Sequence, residues 1–231
     1  MKKIIYLFYI AITSGCLISC NEIDNYDAPA ETLTGSVIDE TTNRPIITEQ
    51  PNGFRIKLSE ISWSDNPQPE YFWGKADGTF NNTKIFYGTY EISPVEGAFF
   101  DIEPVRSEIK GTTKIDFKVI PYLSVTASDI SVSNGTLHVT YNLSRTKVGD
   151  KIIDARVFVS TNPHVGSNVL INDLSPLKDL SEIDDVEILG TTFKESIDGL
   201  EPGKTYYVRV GARTNNPSKR YNFTEIVTIK P

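Results

Sequence analysis

Along most of the chain apolar and polar residues alternate with period two. The segments "FRIKL" (54–58), "IDFKV" (115–119) and "LHVTYNL" (137–143) each put apolar side chains on one face of an extended backbone and polar ones on the other. Such alternation predicts strands with one buried and one solvated face. Tyr90 and Ile92 share a face in the same way, as do Val208, Val210 and Ala212. No segment carries an apolar stripe at helical spacing for three turns. One short helix is expected within residues 173–181, with Ser175 as its N-cap and Pro176 in its first turn. Asp77-Gly78 supplies a tight turn that tolerates positive φ. A strand ends on Pro121, and a run of small polar residues begins after Tyr122-Leu123. The pattern therefore predicts an all-β protein of two β-sandwich domains in tandem, residues 32–121 and 122–231.

The start of the chain has a different pattern. Lys2 and Lys3 precede an almost wholly apolar stretch, residues 4–12, too short to span a bilayer but suited to a signal peptide over residues 1–19. It ends in "LISC" (17–20), an aliphatic residue three before a cysteine and a small residue just before it, which resembles a bacterial lipobox. The resemblance implies that Cys20 accepts diacylglycerol and becomes the mature N-terminus. Cys16 fits less well, with Thr13 three residues upstream. A disulfide between these two cysteines is the alternative, but both lie in or at the edge of the apolar stretch. No cysteine follows Cys20, so neither domain holds a disulfide or a thiolate metal site. Acyl chains contribute about 0.8 kcal/mol per buried CH₂, and residues 20–31 are expected to tether the folded part to a membrane. Glu22, Asp24 and Asp27 resemble the surface-export signal of Bacteroidetes lipoproteins, although a solvated tether accounts for the same composition. The expected location is the outer membrane, lipid-anchored and facing the cell surface.

The formal charge of −7 becomes −9 once Lys2 and Lys3 leave with the signal. Nucleic acid is therefore excluded as a partner, because a polyanion needs clustered cations. The two histidines, His138 and His164, are not at metal-ligand spacing. His138 falls on the polar face of a strand, and His164 follows Pro163 in a loop. No nucleophile elbow, P-loop or dinucleotide fingerprint occurs. "SEIDDVEI" (181–188) offers Glu182, Asp184, Asp185 and Glu187 to a calcium ion but lacks the glycine turn of an EF-hand loop, so a solvated acidic loop is favoured. A carboxylate pair for glycoside hydrolysis needs only a suitable separation in space, which sequence does not display. The expectation is a non-catalytic protein with no metal and no cofactor.

The remaining chemistry is aromatic. "QPEYFWGKADGTF" (68–80) concentrates Tyr71, Phe72, Trp73 and Phe80, and Trp63 stands in the polar stretch "SWSDNPQPE" (62–70). Strand alternation puts Tyr71 and Trp73 on one face and Phe72 on the other. Either all of these rings pack, or Trp63, Tyr71 and Trp73 offer flat apolar faces to a sugar beside amide and carboxylate groups. Phe99 and Phe100 in "GAFF" (97–100) are a further candidate apolar tip.

In order along the first half stand "LTGSVIDETTNRPI" (33–46), "DGTF" (77–80), "GTYEI" (88–92) and "KIDFKVIP" (114–121). The set resembles the carboxypeptidase-regulatory-like, transthyretin-related sandwich, an accessory domain without peptidase activity. "GLEPGKTYYVRVGA" (199–212) resembles the corner before strand F of fibronectin type III modules. That likeness implies that Tyr206 is buried and hydrogen-bonds backbone near the corner. The usual tryptophan of such modules is missing, so a divergent immunoglobulin-like sandwich fits as well. As a whole, the chain resembles a Bacteroidetes lipoprotein family of unknown function whose members are commonly encoded beside SusC-type porins and SusD-type glycan-binding lipoproteins. The resemblance implies a part in polysaccharide uptake. Two readings follow: a surface glycan-binding protein, or an adaptor that docks onto the transporter complex without affinity for glycan.

Overall fold

The computed structural model describes residues 27–231 except Asp65. The signal segment, the lipobox and Cys20 lie outside the described residues. Nearly all regular structure is extended, in two domains.

The first domain holds β1 (Glu31–Asp39), β2 (Arg44–Pro45), β3 (Arg55–Glu60), β4 (Glu70–Trp73), β5 (Thr79–Ile85), β6 (Gly88–Val95), β7 (Val105–Ile109), β8 (Thr112–Lys114) and β9 (Phe117–Val119). One sheet is ordered β2-β1-β5, with β8 and β9 running parallel to β1. The other is antiparallel, β4-β3-β6-β7. The inward residues of the two sheets, among them Leu33, Val37, Ile56, Leu58, Phe80, Ile92 and Phe117, meet in one core. Tyr90 and Ile92 both point into it. Gly78 has φ +77°, and a Cβ there would lie 2.5 Å from the Ile46 carbonyl oxygen. Only glycine fits both the turn and its neighbour.

The second domain holds β10 (Ser124–Ser133), β11 (Thr136–Ser144), β12 (Ile152–Ser160), β13 (Leu177–Asp179), β14 (Thr192–Ile197), β15 (Tyr206–Thr214), β16 (Asn222–Phe223) and β17 (Val227–Ile229). A sheet β10-β11-β14 faces a second one, β13-β12-β15, whose far edge is formed by β16 and β17 in turn. Leu137, Val139, Tyr141 and Leu143 from the first pack against Val157, Val159, Val208 and Val210 from the second. At the corner, the buried Tyr206 accepts a hydrogen bond from the Glu201 N–H through its hydroxyl, at 3.1 Å.

Residues 173–181 do not form the expected helix. A single 3₁₀ turn occupies Asn172–Leu174, and β13 follows, paired with Asp154–Arg156 of β12. The reason is local: Ser175 points inward and its hydroxyl bonds Val159 on β12 instead of capping a helix. The helix lies further on, α1 (Asp185–Gly190), where the Asp184 carboxylate caps the Val186 N–H at 2.8 Å. The acidic stretch thus serves structure. Asp185 binds Lys151 and Arg145 and accepts the Ile152 N–H. Burial works against its ionisation, but these donors and cations prevail and hold the carboxyl below its ordinary range.

Candidate functional site

The outer face of the β4-β3-β6-β7 sheet carries the most distinctive exposed chemistry. On β4 the alternation turns Phe72 inward, edge to face with Phe80, and turns Tyr71 and Trp73 outward, 43% and 45% exposed. Trp73 lies opposite Arg55 on β3, and Tyr71 opposite Lys57. The Arg55 guanidinium sits 4.4 Å from the Tyr71 ring centroid and 5.7 Å from that of Trp73. Its charge is matched by Glu96. Arg55 therefore works as a wedge that fixes both rings in the plane of the sheet's surface. Sequence inspection found the rings and missed the arginine, because cross-strand neighbours appear only once the register is known.

Beyond Tyr71 the same face sinks into a groove of ≈ 470 Å³, lined by Lys57, Ser59, Asn66, Glu91 and Arg106 together with Ile61, Pro67 and Pro69. Glu91 and Arg106 are cross-strand partners on β6 and β7, and Ser59 lies opposite Glu91. An aromatic step and a polar trough thus form one continuous surface along β3. From Arg55 to Ile61 it runs roughly 20 Å at the usual rise of a strand.

Trp63 is not part of the aromatic step. Ser62 accepts the Thr89 N–H at 2.8 Å, which fixes the neighbouring Trp63 near the start of β6, whereas Trp73 faces Arg55 at the end where β6 finishes in Val95. Trp63 is 87% exposed, and Phe86 and Tyr87, just before β6, are also exposed. The Tyr87 hydroxyl bonds Glu108, which raises its pKa, and Lys110 lies over its ring. Of the other candidate tip, Phe99 is a core residue and Phe100 stacks edge to face on Tyr122. "GAFF" thus fills the first core through Phe99 and reaches the second domain through Phe100 and the Gly97 and Ala98 carbonyls, which accept from Ser218 and Asn222. His138 bonds Ser133 and Ser196 on the solvent side of its strand, and His164 is an exposed loop residue. Among the described residues no group of three or more His, Cys, Asp or Glu is disposed to hold a metal ion. Among them, too, no helix is long and apolar enough to cross a membrane.

The second notable site is the junction of the domains. The outer face of the β12-β15-β16 sheet carries Phe158, Tyr221 and Phe223, which pack with Val165 and Leu170 of the same domain and with Ile47 of the first. Arg209 lies among them, 3.6 Å above the Phe223 ring, and donates to the Thr48 carbonyl at 2.8 Å. Its guanidinium is 3.8 Å from Glu49, which also accepts from the Ser167 N–H and hydroxyl, each at 2.7 Å. A Cβ on Gly166 would lie 2.5 Å from both charged groups, so any larger residue here would have to push the pair aside. Burial lowers the Arg209 pKa to about 10, with Glu49 opposing the shift, so it remains a cation at neutral pH. Beside this contact a crevice of ≈ 960 Å³ separates the domains.

Two descriptions of one family cover the folded part. Residues 31–120 match the N-terminal domain of DUF3823, a protein of unknown function, and residues 123–228 match its C-terminal domain. The chain belongs to the DUF3823 family. A DUF3823 family protein from Bacteroides uniformis is similar at 28% identity and a TM-score of 0.78, over 87% of this chain and 99% of that one. A crystal structure from the same species, described as a putative carbohydrate binding protein, shares 24% identity with a TM-score of 0.71, over 88% and 100%. A DUF3823 family protein from Parabacteroides merdae shares 20% identity with a TM-score of 0.70, again over 88% and 100%. These last two likenesses are of fold. No curated protein matches the chain.

Proposed function

We propose that this DUF3823 protein is a non-catalytic lipoprotein, anchored in the outer membrane through Cys20, that binds polysaccharide at the cell surface for an uptake system. The observation that carries the reading is the pair Tyr71 and Trp73, held half-exposed on one sheet face by Arg55 and continued by a polar groove. Sugars present apolar C–H faces ringed by hydroxyls, and a fixed aromatic step beside hydrogen-bonding groups is complementary to both. The description of the Bacteroides uniformis relative as a putative carbohydrate binding protein supports the same reading. The decisive experiment is calorimetry or affinity electrophoresis of residues 21–231, which retain every strand described above, against plant, host and microbial polysaccharides. Saturable binding that falls in folded Trp73→Ala and Tyr71→Ala variants is expected. No binding across the panel would overturn the proposal.

A second reading rests on the opposite end of the sheet, where Trp63, Phe86 and Tyr87 are all exposed. Apolar rings gathered there suit contact with another protein, as an adaptor on a SusC/SusD-type transporter would need. Pull-down of the transporter that weakens with Trp63→Ala, alongside unaltered polysaccharide binding, would separate this role from the first.

A further inference from the structure

We infer that the groove beside Tyr71 selects glycans bearing anionic groups, uronate carboxylates or sulfates, through Lys57 and Arg106. The inference rests on the carbohydrate-binding reading of this face and names the class of sugar.

Three cations stand on the outer surface of the sheet, in a chain whose formal balance is −7. Arg55 is engaged by Glu96 and by the two rings. Lys57 and Arg106 both line the groove, and among the described residues neither forms an ion pair. Glu91 is the one carboxylate among the described lining residues, which together carry one positive charge in excess. Lys57 and Arg106 are two strands and two residues apart, roughly 12 Å between Cα atoms at standard sheet spacings. Two side chains of this length converge over that distance onto one anionic group or serve two neighbouring sugars. Cations in a concavity act through a field less screened than on a flat surface. A guanidinium also matches a carboxylate or sulfate with two parallel hydrogen bonds. Asn66 and Ser59 remain for sugar hydroxyls, and Tyr71, opposite Lys57 on the neighbouring strand, for the ring itself.

The test compares matched polymers on residues 21–231: polygalacturonate against its methyl ester, and dextran sulfate against dextran. Binding of a charged polymer at least tenfold tighter than of its uncharged partner is expected. Lys57→Gln with Arg106→Gln should lose about tenfold of that preference, the equivalent of one charge-assisted hydrogen bond, with unfolding unchanged because both residues lie on the surface. Trp73→Ala should weaken the same polymer. Preference within the first pair assigns a carboxylate, and within the second a sulfate. Equal binding of charged and uncharged polymers that still needs Trp73 would overturn the inference and leave the carbohydrate reading standing. Binding of every polyanion alike, independent of Trp73 and Tyr71, would overturn it as mere charge attraction. No binding of any polymer would remove both.

Discussion

Arg209 of β15 and Glu49 of the first domain meet across the junction at 3.8 Å, both side chains buried. Each has further partners: the Thr48 carbonyl and the Phe223 ring for the arginine, whose buried Nε is left without an acceptor, and the Ser167 N–H and hydroxyl for the glutamate. Removing one partner leaves the other a largely buried charge without its counter-ion. Glu49→Ala or Arg209→Ala should therefore cost about 3–5 kcal/mol of folding stability. Denaturant unfolding checks this, and a double variant should cost less than the sum of the two single changes.

Tyr206→Phe removes the hydroxyl that takes the Glu201 N–H while keeping the buried ring. A loss of about 1 kcal/mol is expected, read as a lower unfolding midpoint at an unchanged denaturant slope. Tyr206→Ala, which also empties the ring's volume, should cost about 3–5 kcal/mol.

Asp185 gives the chain a pH dependence whose direction is fixed. Its carboxyl is held below the ordinary value of 3.8 by Lys151, the Ile152 N–H and Arg145, against the opposing effect of burial. A carboxyl depressed in the folded state adds stability above its unfolded pKa, and that stability is lost as pH falls through the folded value. Asp185→Asn should be less stable than the parent at pH 7, and the gap should close below about pH 4. Urea unfolding of both proteins from pH 7 to pH 3 measures it.

Arg55→Ala tests the wedge between the rings. Two exposed cation–π contacts of about 0.5–1 kcal/mol each are lost, together with the Glu96 pair. A small drop in stability is expected and, under the proposed glycan-binding role, a larger drop in binding, because freed rings would have to be ordered again when a sugar docks. Fluorescence of the tryptophans should show Trp73 more mobile in the variant.

Period-two alternation was enough to locate "FRIKL" and "LHVTYNL" as strands, because a sheet with one wet face writes itself directly into sequence. The same rule sorted Tyr71 and Trp73 from Phe72. It failed at residues 173–181, where Ser175 and Pro176 carry helix-start chemistry but a cross-strand partner on β12 competes for the backbone. Arg209 was equally hidden: it occupies a polar-face position of β15, and only the packing of the other domain turns that face into an interior. The pairing of Lys57 with Tyr71, and the gathering of Arg106 and Asn66 beside them, depend on strand register and loop path. Neither is a property of any local stretch.

The aromatic step stands on β4, a sheet edge only four residues long, entered through Pro67-Gln68-Pro69. An edge that presents rings and unpaired backbone together would ordinarily invite a strand from another copy. Prolines have no N–H to give, and a strand this short offers too few rungs for a second chain to extend. The segment that holds Tyr71 and Trp73 out to solvent is therefore also the one that keeps neighbouring molecules from zipping onto them, so the rings stay open even where copies of the chain are crowded.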